Sequence, residues 1–254
     1  MASTKAFFFD QDGVIIDTER DGHRVAFNRT FAEFGFDVEW DVETYHRLLR
    51  VGGGKERMRS FLHETGFGKP VPGDEEDDLI KALHKRKTDL FVELIESGAL
   101  PLRPGVRRFM AEVNARGLTL GICTTSNERA AKAVSETVLE GIRFDFVLAG
   151  DIVSRKKPDP EIYQLALERC GLRPNECLVI EDSNNGAVAA KAAGMYVVAT
   201  VNPYTKDEDL SMADIVVSNL GDAGGEIAVI LAGPEDYRCD GVVTAEDLIK
   251  IFST

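Results

Sequence analysis

The sequence predicts an α/β fold: a doubly wound parallel sheet with helices on both faces, interrupted after its first strand by an all-helical insert. Three observations predict it. Short, near-continuous apolar runs alternate with stretches of helical spacing, the pattern of strands buried on both faces. Residues from about 18 to 99 break the alternation and read as helices only. The length, 254 residues, suits one large core carrying an insert rather than a single small module.

The first strand is the run Ala6–Phe9. Further β-type runs are Leu118–Thr124, Phe146–Ala149, Cys177–Ile180, Met195–Thr200 and Ile215–Val217. Helical spacing covers Pro104–Arg116, Asn127–Leu139, Pro160–Cys170 and Asn185–Ala193. Pro104 suits the first turn of a helix, Gly117 and Gly171 suit positions just past a helix end, and Gly194 follows an Ala-rich helix. Inside the insert, breaks fall at Gly35, at Val51-Gly52-Gly53-Gly54 and across Gly66–Gly73. Its last helix begins after the run Gly73–Asp78, whose acids at the helix start suit the helix dipole, and carries Lys85-Arg86-Lys87 mid-helix. The expected organisation is 1–17 as the first part of the core, 18–99 as the insert, and 100–254 as the rest of the core with a C-terminal tail.

Composition excludes several classes. Hydrophobic residues make 44% and charged residues 29%, as in an ordinary globular protein. With 30 Lys and Arg against 43 Asp and Glu, the net charge of −13 repels phosphate backbones and anionic lipid, so neither a nucleic acid nor a membrane is an expected partner. A small phosphorylated substrate stays open, because carboxylates beyond a screening length of roughly 8–10 Å matter little to a pocket with its own cations. The cysteines Cys123, Cys170, Cys177 and Cys239 have neither C-x-x-C nor zinc spacing, which suits a reducing compartment. The cytoplasm is expected, or the plastid stroma should a transit peptide have been removed.

Ligands of open parallel sheets bind at the carboxyl ends of strands. Here those ends read Asp10-Gln11-Asp12-Gly13, then Thr124-Thr125-Ser126-Asn127, then Lys156-Lys157-Pro158-Asp159 a short way past the third run, then Glu181-Asp182-Ser183-Asn184. Any one alone is weak, since Asp, Ser and Asn are common in turns and helix caps. Together they supply carboxylates for a hard divalent cation, a hydroxyl and an ammonium for phosphoryl oxygens, and two aspartates spaced for nucleophile and proton donor. Gln11, between the two aspartates, points the opposite way in an extended chain.

Asp10-Gln11-Asp12-Gly13-Val14, Thr124, Lys157-Pro158 and Glu181-Asp182-Ser183 resemble the four ordered motifs of the haloacid dehalogenase superfamily of phosphohydrolases. The helical insert after Asp17-Thr18 resembles its C1-type cap, as in the β-phosphoglucomutase and phosphoglycolate phosphatase branch. Within that branch, Asp21-Gly22-His23-Arg24, Gly52–Met58, Leu100–Gly105 and Lys156–Pro160 look closest to the CbbY-like proteins, whose known activity is xylulose-1,5-bisphosphate phosphatase.

The resemblance implies a Rossmann-like core and specific jobs. Asp10 would be the nucleophile and a Mg²⁺ ligand. Asp12 would be the general acid/base and offer its carbonyl to the metal. Asp182 would complete the protein ligands, with Glu181 acting through water. Thr124 would bind a phosphoryl oxygen, with Thr125 and Ser126 close to the substrate, and Lys157, directly before the proline, would neutralise the phosphoryl group and Asp10. Asp17 is a hinge carboxylate or simply a solvated linker residue. Ser183 and Asn184 either cap the next helix or support the metal shell.

In the insert, His46–Ser60 holds Arg47, Arg50, Lys55, Arg57 and Arg59 against Glu56 alone. A solvated basic face is the plain reading. Placed after three glycines, Lys55 is nonetheless suited to clamp a phosphate that does not react, with Arg57 as a second candidate. Glu19 and His23, near the first linker, are candidates for sugar hydroxyls. The tail Asp236–Asp247 has EF-hand-like spacing, but Arg238 stands where a ligand oxygen belongs, so a turn before a helix over Ala245–Phe252 is expected instead. The expectation is a monomeric, Mg²⁺-dependent phosphatase of a small sugar phosphate, most simply xylulose 1,5-bisphosphate. A phosphomutase or a phosphoglycolate-type phosphatase is the enzymatic alternative. A non-catalytic module on the same fold would have lost a nucleophile or metal ligand, and none is missing.

Overall fold

The computed structural model describes residues 3–51, 54–98, 100–126 and 128–253. Gly52, Gly53 and Asn127, named above, lie outside the described residues, as does the side chain of Asp151. The chain separates into two compact units, Met1–Asp17 with Pro101–Thr254, and Thr18–Leu100.

The larger unit is built on one sheet. Its strands are β1 (Ala6–Phe9), β2 (Thr119–Cys123), β3 (Phe146–Leu148), β4 (Cys177–Glu181), β5 (Tyr196–Thr200), β6 (Ile215–Val217) and β7 (Ile230–Ala232). They lie in the order β3-β2-β1-β4-β5-β6-β7, parallel except for β7, which pairs antiparallel with β6. The antiparallel β7 was not expected from sequence, although it closes the apolar run Ile227–Ala232; its Leu231 and Ala232 are exposed.

Burial on both faces explains the unbroken apolar runs. Phe7 and Phe9 pack on Phe109 from one face, while Phe8 packs on Phe146 from the other. Helices follow the strands as the spacing implied: α5 (Val106–Ala115), α6 (Glu128–Ala133), α7 (Glu161–Cys170), α8 (Asn184–Ala192) and α9 (Ala245–Ile251), after the insert's α1–α4 described below. The helical stretch after β2 loosens into a π-helical turn over Val134–Val138. Pro104 precedes rather than opens α5; the residue before that helix is Gly105, at φ +82°, with a backbone N–H held by Asp222.

The insert unit begins with a π-helical turn over Thr18–His23, followed by α1 (Arg24–Glu33), α2 (Val42–Leu48), α3 (Gly54–Glu64) and α4 (Glu76–Glu96). Its core is aromatic: Phe27, Phe31, Tyr45, Phe61 and Phe67 gather around the fully buried Trp40. The basic run of α4 does not simply face solvent. Arg86 pairs with Glu33 and Glu93, and Lys87 is buried. Among the described residues no helix is long and apolar enough to cross a membrane.

Candidate active site

Strand register brings the motifs together. Phe9 lies opposite Ile122 of β2 and Ile180 of β4, so the next residues along, Asp10, Cys123 and Glu181, leave the sheet at one level. The strand order turns in opposite directions on the two sides of β1, which makes this end the crevice where open α/β sheets bind ligands. The Asp10 amide donates to Ile180 O at 3.0 Å, and the Thr124 amide to Leu148 O at 3.0 Å, fixing both strand exits.

Lys157 reaches this level from the loop before α7. Its Nζ lies 2.6 Å from Asp10 Oδ1, 2.6 Å from Glu181 Oε1 and 2.9 Å from Cys123 O, so all three ammonium protons have acceptors. Lys156, its neighbour, is exposed and lines a cavity of about 580 Å³ that also takes in Thr125, Glu128 and Ile152. Glu181 is fully buried; Tyr163 of α7 donates to the same Oε1 at 2.5 Å, and the Asp182 amide donates to Oε2.

Two glycines make room for the acids. A Cβ on Gly13 would lie 2.0 Å from Asp182 Oδ2, and one on Gly186 would lie 2.0 Å from Glu181 Oε2. Gly13 is also at φ +79°, where side chains are disfavoured. Arg103 donates to the carbonyls of Gly13, Thr200, Val201 and Ser218, tying the β1 exit to the ends of β5 and β6.

Electrostatics show what the centre lacks. Asp10, Glu181 and Asp182 are buried and present carboxylate oxygens within 4.8 Å of one another, and the Lys157 ammonium pairs with Asp10 and Glu181. Burial raises the Asp10 pKa to about 7, Glu181 and Asp12 adding to the rise and Lys157 opposing it. Asp182 is also pushed well above the carboxylate range, by burial first and then by Glu181 and Asp10. Burial disfavours the Lys157 ammonium, but Asp10 and Glu181 outweigh it and hold the pKa above its usual value. With Asp12 adding to the acids and Arg103 acting on Asp182 beside Lys157, the carboxylates still outnumber the cations; a divalent cation cancels that excess, and the all-oxygen donor set suits a hard ion.

Other expected site residues settle differently. The Ser126 hydroxyl donates to Asp12 Oδ2, and the Ser126 amide donates to Thr124 Oγ1 at 3.1 Å. Ser183 accepts from the Gly186 amide and caps α8, while Asn184 donates to Asp209 O, away from the acids. Asp17 is buried rather than solvated. Gln11 is fully buried, and neither amide atom has a hydrogen-bond partner among the described residues. In the tail, Thr244 caps α9, Arg238 donates to backbone carbonyls, and Asp236 and Asp240 are exposed; no acid cluster of ligating closeness forms there among the described residues.

Within the insert, Lys55 is exposed, whereas Arg57 is buried. The Arg57 guanidinium donates to Leu48 O, Val51 O and Tyr45 Oη, and Tyr45 in turn donates to Glu19 at 2.5 Å. Arg57 and Glu19 thus brace the insert's own loops. His23 stacks on Phe91 at 3.8 Å and lies 2.9 Å from Lys87 Nζ. Burial, then Lys87 and Arg57, hold His23 well below its usual pKa, so the ring is neutral and Nδ1 accepts from the ammonium. Sequence reading missed Lys87, Tyr163, Arg103 and Asn202. Arg103 stood in the segment Leu100–Gly105 without a role, and Tyr163, six residues after Lys157, carried a signal as a polar-tipped aromatic on an apolar helix face.

The residues 4–194 match the haloacid dehalogenase-like hydrolase family. The chain belongs to that family. Among its relatives, a CBBY-like protein of Arabidopsis thaliana is 47% identical over 85% of this chain and 69% of its own length. Protein CbbY of Rhodobacter capsulatus is 43% identical over 86% of this chain and 95% of its own. A crystal structure of a CbbY mutant from Rhodobacter sphaeroides in complex with xylulose-(1,5)bisphosphate is 38% identical, with a TM-score of 0.68, covering 86% of this chain and 95% of that one. The haloacid dehalogenase-like chain described here is accordingly an enzyme, a phosphatase with a CbbY-like sequence.

Proposed function

We propose that the enzyme is a Mg²⁺-dependent phosphatase of a small sugar phosphate, with xylulose 1,5-bisphosphate as the substrate to test first. The observation that carries the chemistry is Lys157 at 2.6 Å from both Asp10 and Glu181, with Asp182 in the same acidic cluster. The substrate choice rests on the CbbY relative crystallised with that sugar bisphosphate.

In this reading Asp10 attacks phosphorus, forming an aspartyl-phosphate as the ester P–O bond breaks. Asp12, oriented by Ser126, gives its proton to the departing sugar oxygen. Asp12 then takes a proton from the water that hydrolyses the acyl-phosphate and regenerates Asp10. Lys157 opposes protonation of Asp10 and offsets phosphoryl charge; Thr124 binds a phosphoryl oxygen. Asp10, the Asp12 carbonyl and Asp182 would hold the cation, with Glu181 outside them. A bound Mg²⁺ supplies the positive charge that lets buried carboxylates and a phosphate share one site. Lys55 is proposed to bind the phosphate that does not react.

The test is phosphate release from a panel of sugar mono- and bisphosphates with and without Mg²⁺. The reading expects bisphosphate preference, metal dependence, and no turnover by a folded Asp10→Asn variant. Unchanged release by that variant defeats the catalytic assignment. Faster isomerisation of a hexose 1-phosphate than hydrolysis of any bisphosphate would replace the phosphatase reading by a mutase.

A further inference from the structure

We propose that Asn202 is a positioning residue for Asp182, and that it sets the cation affinity of the acidic centre by holding one carboxylate oxygen so that the other is presented to the ion. This rests on the reading of Asp182 as a cation ligand.

Asn202 lies two residues past the end of β5 and is 7% exposed. Its Oδ1 accepts from the amides of Tyr204 at 2.9 Å and Thr205 at 3.1 Å, an Asx turn. The Asn202 amide donates to Thr205 Oγ1, and its carbonyl accepts from Thr205 and Lys206. Two N–H groups on Oδ1 decide the orientation of the side-chain amide, because the flipped form would set NH₂ against them. Nδ2 then points the other way, to Asp182 Oδ2 at 2.7 Å.

On the far side Gly13 leaves the space that this contact needs: a Cβ there would lie 2.7 Å from Asn202 Nδ2. Arg103, bonded to the Gly13 carbonyl and to both oxygens of Thr200, fixes the two strand ends that carry these groups. The chemistry of the donor matters. A lysine or arginine in this place would orient Asp182 but cancel the charge that the cation needs. A carboxamide orients it without adding a positive charge of its own. Partners of this kind, one bond removed from a metal, are typically worth about 10–100-fold in affinity.

The test measures binding of Mn²⁺ to the full-length, metal-free enzyme without substrate, by electron paramagnetic resonance of the free ion. Three variants are compared with the wild type. Asn202→Ser keeps a side-chain acceptor for the turn but loses the reach to Asp182; Asn202→Ala loses both; Asp182→Asn removes the ligand. The expected result is a dissociation constant raised about tenfold or more in Asn202→Ser, with the metal-free melting temperature close to wild type. The Mg²⁺ concentration for half-maximal phosphate release should rise by the same factor. An affinity in Asn202→Ser within about twofold of wild type, alongside weakened binding in Asp182→Asn, overturns the inference and leaves the cation reading standing. Loss of the cooperative thermal transition in Asn202→Ser also overturns it, because the amide would then be holding the fold. No Mn²⁺ binding by the wild type, or undiminished binding by Asp182→Asn, overturns both.

Discussion

Tyr163 donates a 2.5 Å hydrogen bond to Oε1 of Glu181, the same oxygen that receives the Lys157 ammonium. Burial, then the charge of Glu181, raises the tyrosine pKa well above its usual value, so the phenol stays a donor across the working pH range. Tyr163→Phe should keep the ring beneath Lys157 and remove only the donor. The expected loss is about 1.5–3 kcal/mol of stability, as for a buried hydrogen bond to a charged group, with lower kcat. Urea unfolding together with phosphate-release kinetics checks this; wild-type values in both would assign Glu181 to Lys157 alone.

Gly186 lies in the first turn of α8, at a backbone conformation that alanine accepts. Helix propensity alone would favour Gly186→Ala by about 0.8–1 kcal/mol. The Glu181 carboxyl occupies the space of the new methyl, so the acid must move. A displacement of that size is expected to lower kcat/KM by about 100-fold, whereas Gly73→Ala, with nothing within 4 Å, should match wild type. Kinetics of the two variants side by side decide the point.

The raised Asp10 pKa makes a signed statement about stability. A carboxyl that titrates near 7 when folded and at 3.8 when unfolded binds protons more readily in the native state. Its contribution is therefore fully present below 3.8 and lost as pH rises through about 7. In a chelator, the melting temperature should fall between about pH 5.5 and pH 7.5, and less steeply in Asp10→Asn. Saturating Mg²⁺ should flatten the wild-type slope. Parallel slopes for wild type and variant in chelator would show that Asp10 does not carry this dependence.

Lys55 and Arg57 separate a surface role from a bracing one. Arg57→Ala abandons two carbonyls and the Tyr45 hydroxyl inside the insert and should cost about 2–4 kcal/mol of stability. Lys55→Ala should change stability by less than about 0.5 kcal/mol. It should raise KM for a bisphosphate more than for a monophosphate. Equal KM changes for the two substrates would remove Lys55 from the proposed phosphate site.

The sequence made the sheet legible because strands buried on both faces leave unbroken apolar runs, and the predicted runs at Ala6–Phe9 and Ile215–Val217 coincide with β1 and β6. Its carboxyl ends were legible for the same reason: Asp10, Thr124 and Asp182 stand directly after β1, β2 and β4, at the ends of those runs. Lys157 was placed only by its motif. The strand β7 lies within an apolar run as well, Ile227–Ala232, which was not read as a strand. The burial of Arg57 was not legible because charge reads as surface, whereas a guanidinium with its donors occupied by carbonyls and a phenol is stable inside. Asn202 looks like any loop asparagine until the chain brings it against Asp182.

The short antiparallel bridge between Ile16 and Leu102, extended by the Arg103 amide donating to Ile15 O, sets the outgoing and returning chains side by side. Topologically, the whole segment from Thr18 to Leu100 is the loop of a hairpin. Closing a loop costs free energy that grows only with the logarithm of its length, so the hairpin stem hardly registers what it carries. A core joined by a tight turn in place of that segment should therefore still form its sheet, and other folded units should be exchangeable at the same two points.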